Sequence, residues 1–168
     1  MNRHFVCVAG VVLGLAACSE RAAAPVDPLS GAWRVVSMHI VDSGGQASEL
    51  RTHESLITFA AGYYSMAYAF GDQRPAIYAE RWHPTDVERT ARFRSIIASS
   101  GTYTVAGSRM VARPLFALAP EFVGGRGEFA FAFVGDTLRL TWEKSIAFDG
   151  LEYPSAGTVT VLQLVRAD

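Results

Sequence analysis

The chain has 168 residues, and its 15 lysines and arginines nearly balance 16 aspartates and glutamates, for a formal net charge of −1. This length suits a single domain, and the charge balance excludes the basic surface typical of nucleic-acid-binding proteins. Half of the residues are hydrophobic, which is ample for one core.

An uninterrupted apolar run at residues 5–17 follows Arg3 and His4. A membrane-spanning helix needs about 20 such residues, so this run is too short to span a bilayer, but it suits the apolar region of an export signal. The run ends in Leu-Ala-Ala-Cys18, which resembles the lipobox of bacterial lipoproteins. The resemblance implies a signal peptide at 1–17 and acylation of Cys18, with chains such as palmitate, as the membrane anchor. Simple secretion is the alternative.

Ser19 follows the cysteine. By resemblance to lipoprotein sorting signals, a serine here favours the outer membrane, facing the periplasm, over the inner membrane. Cys7 lies within the predicted signal, so the mature chain keeps Cys18 alone and forms no internal disulfide. Residues 18–28 contain two prolines and several small residues, which indicates a tether ahead of a domain at 29–166.

Strand-like segments rich in β-branched and aromatic residues dominate the domain. Short turn signals at Ala61-Gly62, Gly107-Ser108 and Gly135-Asp136 predict three hairpins. Such a chain of antiparallel strands avoids exposed edges by closing on itself. The sequence therefore predicts an all-β, antiparallel barrel of about eight strands at 32–41, 55–60, 63–70, 102–106, 109–118, 127–134, 137–143 and 158–165.

One segment, at about 85–100, predicts a helix inserted near the middle of the domain. Thr85 and Glu88 have the spacing of a capping box, which satisfies free backbone N–H groups at a helix start. Gly101 supplies the expected C-terminal stop.

Alternation of side chains along the strands predicts a bulky apolar interior. In the 127–134 strand every second residue from 129 to 133 is phenylalanine, and the next strand has leucine or tryptophan at every second residue from 138 to 142. Residues 63–70 add a cluster of tyrosines and methionine. These side chains either fill a core or line a ligand space, and the candidates for ligand contact are Tyr64, Met66, Tyr68, Phe129, Phe131, Phe133, Leu140 and Trp142.

Five segments in order resemble the bacterial lipocalin-like domain family. Residues 29–36 (LSGAWRVV) resemble its Gly-x-Trp opening strand, and the others are 59–66, 100–105, 120–124 and 133–140. The sequence departs from the family at Phe122, where tryptophan is expected. The resemblance implies a small barrel in which Trp33 plugs the closed end and Arg166, at the end of the last strand, packs over it. Such a cation–π contact contributes about 0.5–2 kcal/mol.

Sequence signals for catalysis are absent. The histidines outside the predicted signal peptide, His39, His53 and His83, lack metal-ligand spacing, and there is no Gly-x-Ser-x-Gly elbow. We therefore expect no catalytic residues, metal or cofactor. The leading hypothesis is a lipid-anchored envelope protein that binds a small apolar or amphipathic ligand. The alternatives are a structural or interaction protein with a solid core and a cavity isomerase or cyclase; an interior of about 300 Å³ or more favours ligand binding.

Overall fold

The computed structural model describes residues 27–71, 73–153 and 157–167. The predicted signal peptide, Cys18 and most of the predicted tether lie outside these residues. Within the described ranges, no helix is long and apolar enough to cross a membrane. The described residues form the following elements: β1 (Gly31–Val41), β2 (Ala47–Glu49), β3 (Thr52–Ala60), β4 (Tyr63–Phe70), α1 (Asp86–Arg94), β5 (Ile96–Ala106), β6 (Arg109–Ala117), a 3-10 helix (Pro120–Phe122), β7 (Arg126–Val134), β8 (Thr137–Ile146), β9 (Glu152–Tyr153) and β10 (Val159–Arg166).

Eight of the strands form a closed antiparallel barrel. The hydrogen-bonded order is β1-β3-β4-β5-β6-β7-β8-β10, and β10 pairs with both β8 and β1 to complete the ring. The short strands β2 and β9 are not part of the ring; β2 pairs with β1, and β9 pairs with β8. Closure leaves no unpaired edge in the ring. The predicted all-β fold, with about eight barrel strands and one helix, is confirmed.

The two ends of the barrel differ in their connections. At one end, which we call the closed end, the three predicted hairpin turns at 61–62, 107–108 and 135–136 join consecutive strands. Ala61 and Gly62 both have positive φ, at 50° and 80°, which is the backbone conformation that a two-residue hairpin requires. At the other end, the open end, longer connections carry β2, α1, the 3-10 helix and β9.

The helix is shorter than the sequence predicts. Its start is confirmed, because the Thr85 side chain accepts from the Glu88 backbone and the Glu88 side chain accepts from the Thr85 backbone. It ends at Arg94, however, because residues 96–100 pair with β4 as a strand. Ile96 and Ile97 are β-branched, and the ladder with β4 outcompetes further helix.

Gly101 is therefore not the stop of a helix. It lies within β5 where the strand register shifts against β6, and a Cβ atom there would stand 2.0 Å from the carbonyl oxygen of Arg113. The residue thus permits a close approach between two backbones. The helix itself buries none of its residues, and its Val87 side chain is 79% exposed.

Candidate ligand cavity

The closed end of the barrel is packed solid around Trp33. The Trp33 side chain is buried, and its Nε1 donates a hydrogen bond of 2.7 Å to the carbonyl oxygen of Leu29. The rings of Phe59 and Tyr103 meet edge to face, with centroids 5.1 Å apart. The Tyr103 hydroxyl donates to the Asp27 carboxylate, so the chain just ahead of β1 is held against this end.

Arg166 covers the Trp33 ring from outside. Its guanidinium carbon lies 4.0 Å from the ring centroid, and its Nη1 donates to the carbonyl oxygen of Ser30. This is the contact that the family resemblance implied. Gly31 makes room for it, because a Cβ atom at this position, where φ is +126°, would overlap Nη1 at 2.0 Å. Through these contacts, the start of β1 and the end of β10 are held together at the closed end of the barrel.

The open half of the barrel holds a cavity of about 640 Å³. Residues from every barrel strand except β3 line it, and most of them are apolar. The space exists because several inward positions there carry small side chains, namely Ser99, Ala112 and Gly127. Its deeper lining includes Met38, Met66, Ala112, Phe129 and Leu162.

Five of the eight predicted ligand-contact residues line this cavity: Tyr64, Met66, Tyr68, Phe129 and Trp142. Phe131 and Leu140 do not, because they are buried in the packed half nearer the turn at 135–136. Phe133 does not line the cavity either, because it lies two residues from Gly135 and is 44% exposed. Its ring packs against that of Trp33, with the two ring centroids 6.0 Å apart. The inward-facing predictions hold for Phe129, Phe131 and Leu140, but distance from the turn decides which of them meets the cavity.

Sequence reasoning missed the lining that comes from the open-end connections. Tyr153 of β9 packs against Trp142 and Phe122, with ring centroids 5.8 Å and 6.1 Å apart. Phe93 of α1 also lines the cavity mouth. These residues lie in segments with no strand-like alternation, so no local signal identified them. Met38, by contrast, follows from the alternation along β1 once the bulge after Val35 is allowed for.

The polar groups of the cavity are few and unevenly placed. The charged lining residues of the described chain are Arg94 and Glu121, both in or next to the open-end connections. Tyr64 and Tyr68 lie within the barrel on β4. Burial raises the pKa of both hydroxyls; the Tyr64 hydroxyl raises that of Tyr68 further, while the hydrogen bond with Ser99 lowers that of Tyr64. Within the described ranges, no cluster of His, Cys, Asp or Glu is arranged to hold a metal ion.

Residues 30–163 match the family model of the lipocalin-like domain. A solved structure, a lipocalin-like protein from Bacteroides uniformis, is 11% identical with a TM-score of 0.43, and the match covers 83% of this chain and 98% of that chain. No curated protein matches. Because the family model covers most of the sequence, from the start of β1 into β10, the chain belongs to the lipocalin-like domain family.

Proposed function

We propose that this domain binds a small apolar or amphipathic molecule inside the barrel. The observation that carries the proposal is the cavity of about 640 Å³, which is within the size range of small-molecule sites. Its apolar wall offers a ligand the free energy of leaving water, at about 25 cal/mol per Å² of apolar surface buried. The open-end location gives the ligand a route in without unfolding the packed half.

The cavity also weighs against the two alternatives from the sequence. A structural protein with a solid core has no need of an interior of this size, because voids in cores are destabilising. A cavity enzyme needs convergent titratable groups. The charged lining residues of the described chain, Arg94 and Glu121, stand at the mouth rather than around a common point inside.

Titration calorimetry with butylbenzene tests the proposal on the domain comprising residues 19–168. We expect saturable binding of one molecule per chain. Met66→Arg should abolish it, because the inward Met66 side chain lines the cavity and an arginine there would place a charge in an apolar space. Ala67→Arg is the matched control, since Ala67 is the next residue on β4 and is exposed.

Two results would contradict the proposal. One is wild-type protein that gives no saturable heat with butylbenzene. The other is equal binding by the Met66→Arg and Ala67→Arg variants, which would place the probe outside the barrel. A melting curve for each variant shows whether loss of binding reflects loss of the fold.

We further propose that acylated Cys18 anchors the domain to the outer membrane, facing the periplasm. Nine residue steps separate Cys18 from Asp27, which the Tyr103 hydroxyl holds at the closed end. An extended chain of that length reaches at most about 30 Å. The tether therefore attaches at the end opposite the cavity mouth.

Membrane fractionation of the full-length protein tests the anchor. We expect the wild type in the membrane fraction with added acyl mass, because several acyl chains make membrane attachment long-lived. Cys18→Ser should be soluble or uncleaved. Wild-type protein that is soluble and carries no acyl mass would contradict the anchor while leaving the ligand proposal intact.

A further inference from the structure

The cavity wall has a polar site where β4 and β5 meet. The Tyr64 hydroxyl lies 2.8 Å from the Ser99 hydroxyl, and Ser99 donates onward to the carbonyl oxygen of Phe116 at 3.2 Å. Ser99 has one hydroxyl hydrogen, which this second bond uses. Tyr64 is therefore the donor to Ser99, and both of these hydroxyl hydrogens are already engaged.

Tyr68 differs from this pair. Its side chain is 7% exposed and lines the same cavity, four residues nearer the open end on β4. Within the described part of the chain, its hydroxyl hydrogen is donated to no protein group. The hydroxyl oxygen itself is not cut off from solvent, so it faces the cavity space, where water or a ligand oxygen can accept its hydrogen. A purely apolar molecule that displaces water from this position leaves the hydrogen without an acceptor, which is costly, whereas a ligand with its own acceptor avoids that cost.

The surroundings of Tyr68 define the charge of that acceptor. Its phenol stays protonated at neutral pH, because burial raises its pKa. The cavity-lining cation of the described residues, Arg94, belongs to the end of α1 at the mouth. Glu121, also in an open-end connection, carries the opposite charge, and no charged lining residue of the described chain lies on a barrel strand. A carboxylate held against the strands would therefore lose water without gaining a net counter-charge, which is unfavourable. An uncharged oxygen gains the hydrogen bond without that cost.

We propose that Tyr68 selects ligands that carry an uncharged oxygen acceptor, such as a ketone, ester or ether, on an otherwise apolar skeleton. This inference rests on the proposed function and adds the ligand's chemical class to it. The Tyr68 hydroxyl donates to the ligand oxygen while the apolar lining, including Met66 and Phe129, surrounds the hydrocarbon. The Tyr64–Ser99–Phe116 chain fixes the neighbouring wall, so of the two tyrosine hydroxyls that β4 contributes to the lining, that of Tyr68 keeps its hydrogen for a ligand.

A matched pair of probes tests this selectivity. Butylbenzene and butyrophenone share one carbon skeleton, and butyrophenone adds a carbonyl oxygen. We expect Tyr68→Phe to lower the ratio of butyrophenone affinity to butylbenzene affinity by about fivefold, the effect of one hydrogen bond. Because the ratio is compared between proteins, the different water solubilities of the two probes cancel. Tyr63→Phe is the control, since Tyr63 lies on the same strand and is 59% exposed.

The possible results separate the two proposals. If both probes bind and the affinity ratio is the same in wild type and Tyr68→Phe, the role of Tyr68 is wrong and the apolar cavity remains. If neither probe binds the wild type, the proposed function itself fails, and this inference with it.

A second readout needs no variant. The infrared carbonyl stretch of butyrophenone bound to wild-type protein should lie at lower frequency than in an alkane, because a donor withdraws electron density from the carbonyl. A stretch at the alkane frequency would overturn the inference even if Tyr68→Phe failed to fold.

Discussion

The closed and open ends of the barrel share the same eight strands and the same inward–outward alternation, but one end is solid and the other holds a cavity. At the closed end the inward positions carry large side chains such as Trp33, Phe59 and Leu138, all fully buried. Toward the open end, Ser99, Ala112 and Gly127 occupy equivalent inward positions. Residue size along the inward face, more than strand pairing, therefore determines where this barrel can take a ligand.

The connections reinforce the difference. Two-residue turns and the Arg166 contact draw the strands together at the closed end. At the open end the longer connections stand around the mouth, and α1 leaves side chains such as Phe93 exposed there. The packed end therefore stabilises the fold, while the open end gives access to the cavity.

Removing one tryptophan from each end should give the largest difference in stability between the two ends. We expect Trp33→Ala to lower the free energy of unfolding by about 3–5 kcal/mol, the usual cost of deleting a buried aromatic side chain. Trp142→Ala should cost at most about 2 kcal/mol, because its half-buried ring faces a cavity and buries less apolar surface. Urea unfolding of both variants measures the difference. Equal losses would show that the two ends are packed alike.

Adding a ring at each end should give a smaller difference in stability, again with the larger loss at the closed end. Val35→Phe, beside the packed core, should lose about 1–3 kcal/mol through overpacking. Ala112→Phe should change stability by less than about 1 kcal/mol, because the new ring enters existing space and buries apolar surface there. Thermal melts and butylbenzene titrations measure the outcome, with weaker probe binding expected for Ala112→Phe. A strongly destabilised Ala112→Phe would mean that the space beside this residue is too small for a ring.

The smallest expected effect lies in the connection that carries α1. Backbone N–H groups of Ala79 and Thr85, with the Thr85 hydroxyl, donate to the Glu88 carboxylate and hold its pKa below the ordinary value. A depressed carboxyl pKa stabilises the fold above the unfolded pKa, and this contribution is lost as the pH falls through the folded pKa. Carbon-13 NMR of the Glu88 carboxyl should show a midpoint below that of an unfolded glutamate. A midpoint at or above the unfolded value would contradict these hydrogen bonds in solution.

The sequence predicts the features of this molecule that depend on near neighbours. Alternation, two-residue turn signals and the capping box at Thr85 and Glu88 are all local, and each matches the structure. The length of α1 was mispredicted, because residues 96–100 pair with β4, about 30 positions away in the chain. Helical periodicity within residues 85–100 does not indicate that part of this segment pairs with β4.

The site could be predicted in part, for a related reason. Alternation showed that Phe129 and Phe131 face inward, but depth along the barrel decides which one meets a ligand space. The sequence gives a weak indication of this depth, because Phe129 lies farther from the turn at Gly135 than Phe131 does. The contribution of Tyr153 required the fold of the connection between β8 and β10, which no local pattern indicates.

Methionine methyl NMR shows directly whether one end of the barrel is solid while the other binds a ligand. In the domain comprising residues 19–168 the methionines are Met38 and Met66, which line the cavity, and Met110, which is buried in the packed half and does not line it. Saturation with butylbenzene should shift the Met38 and Met66 methyl resonances through the ring current of the probe and leave Met110 in place. Unchanged Met38 and Met66 resonances, or a shift confined to Met110, would contradict the account.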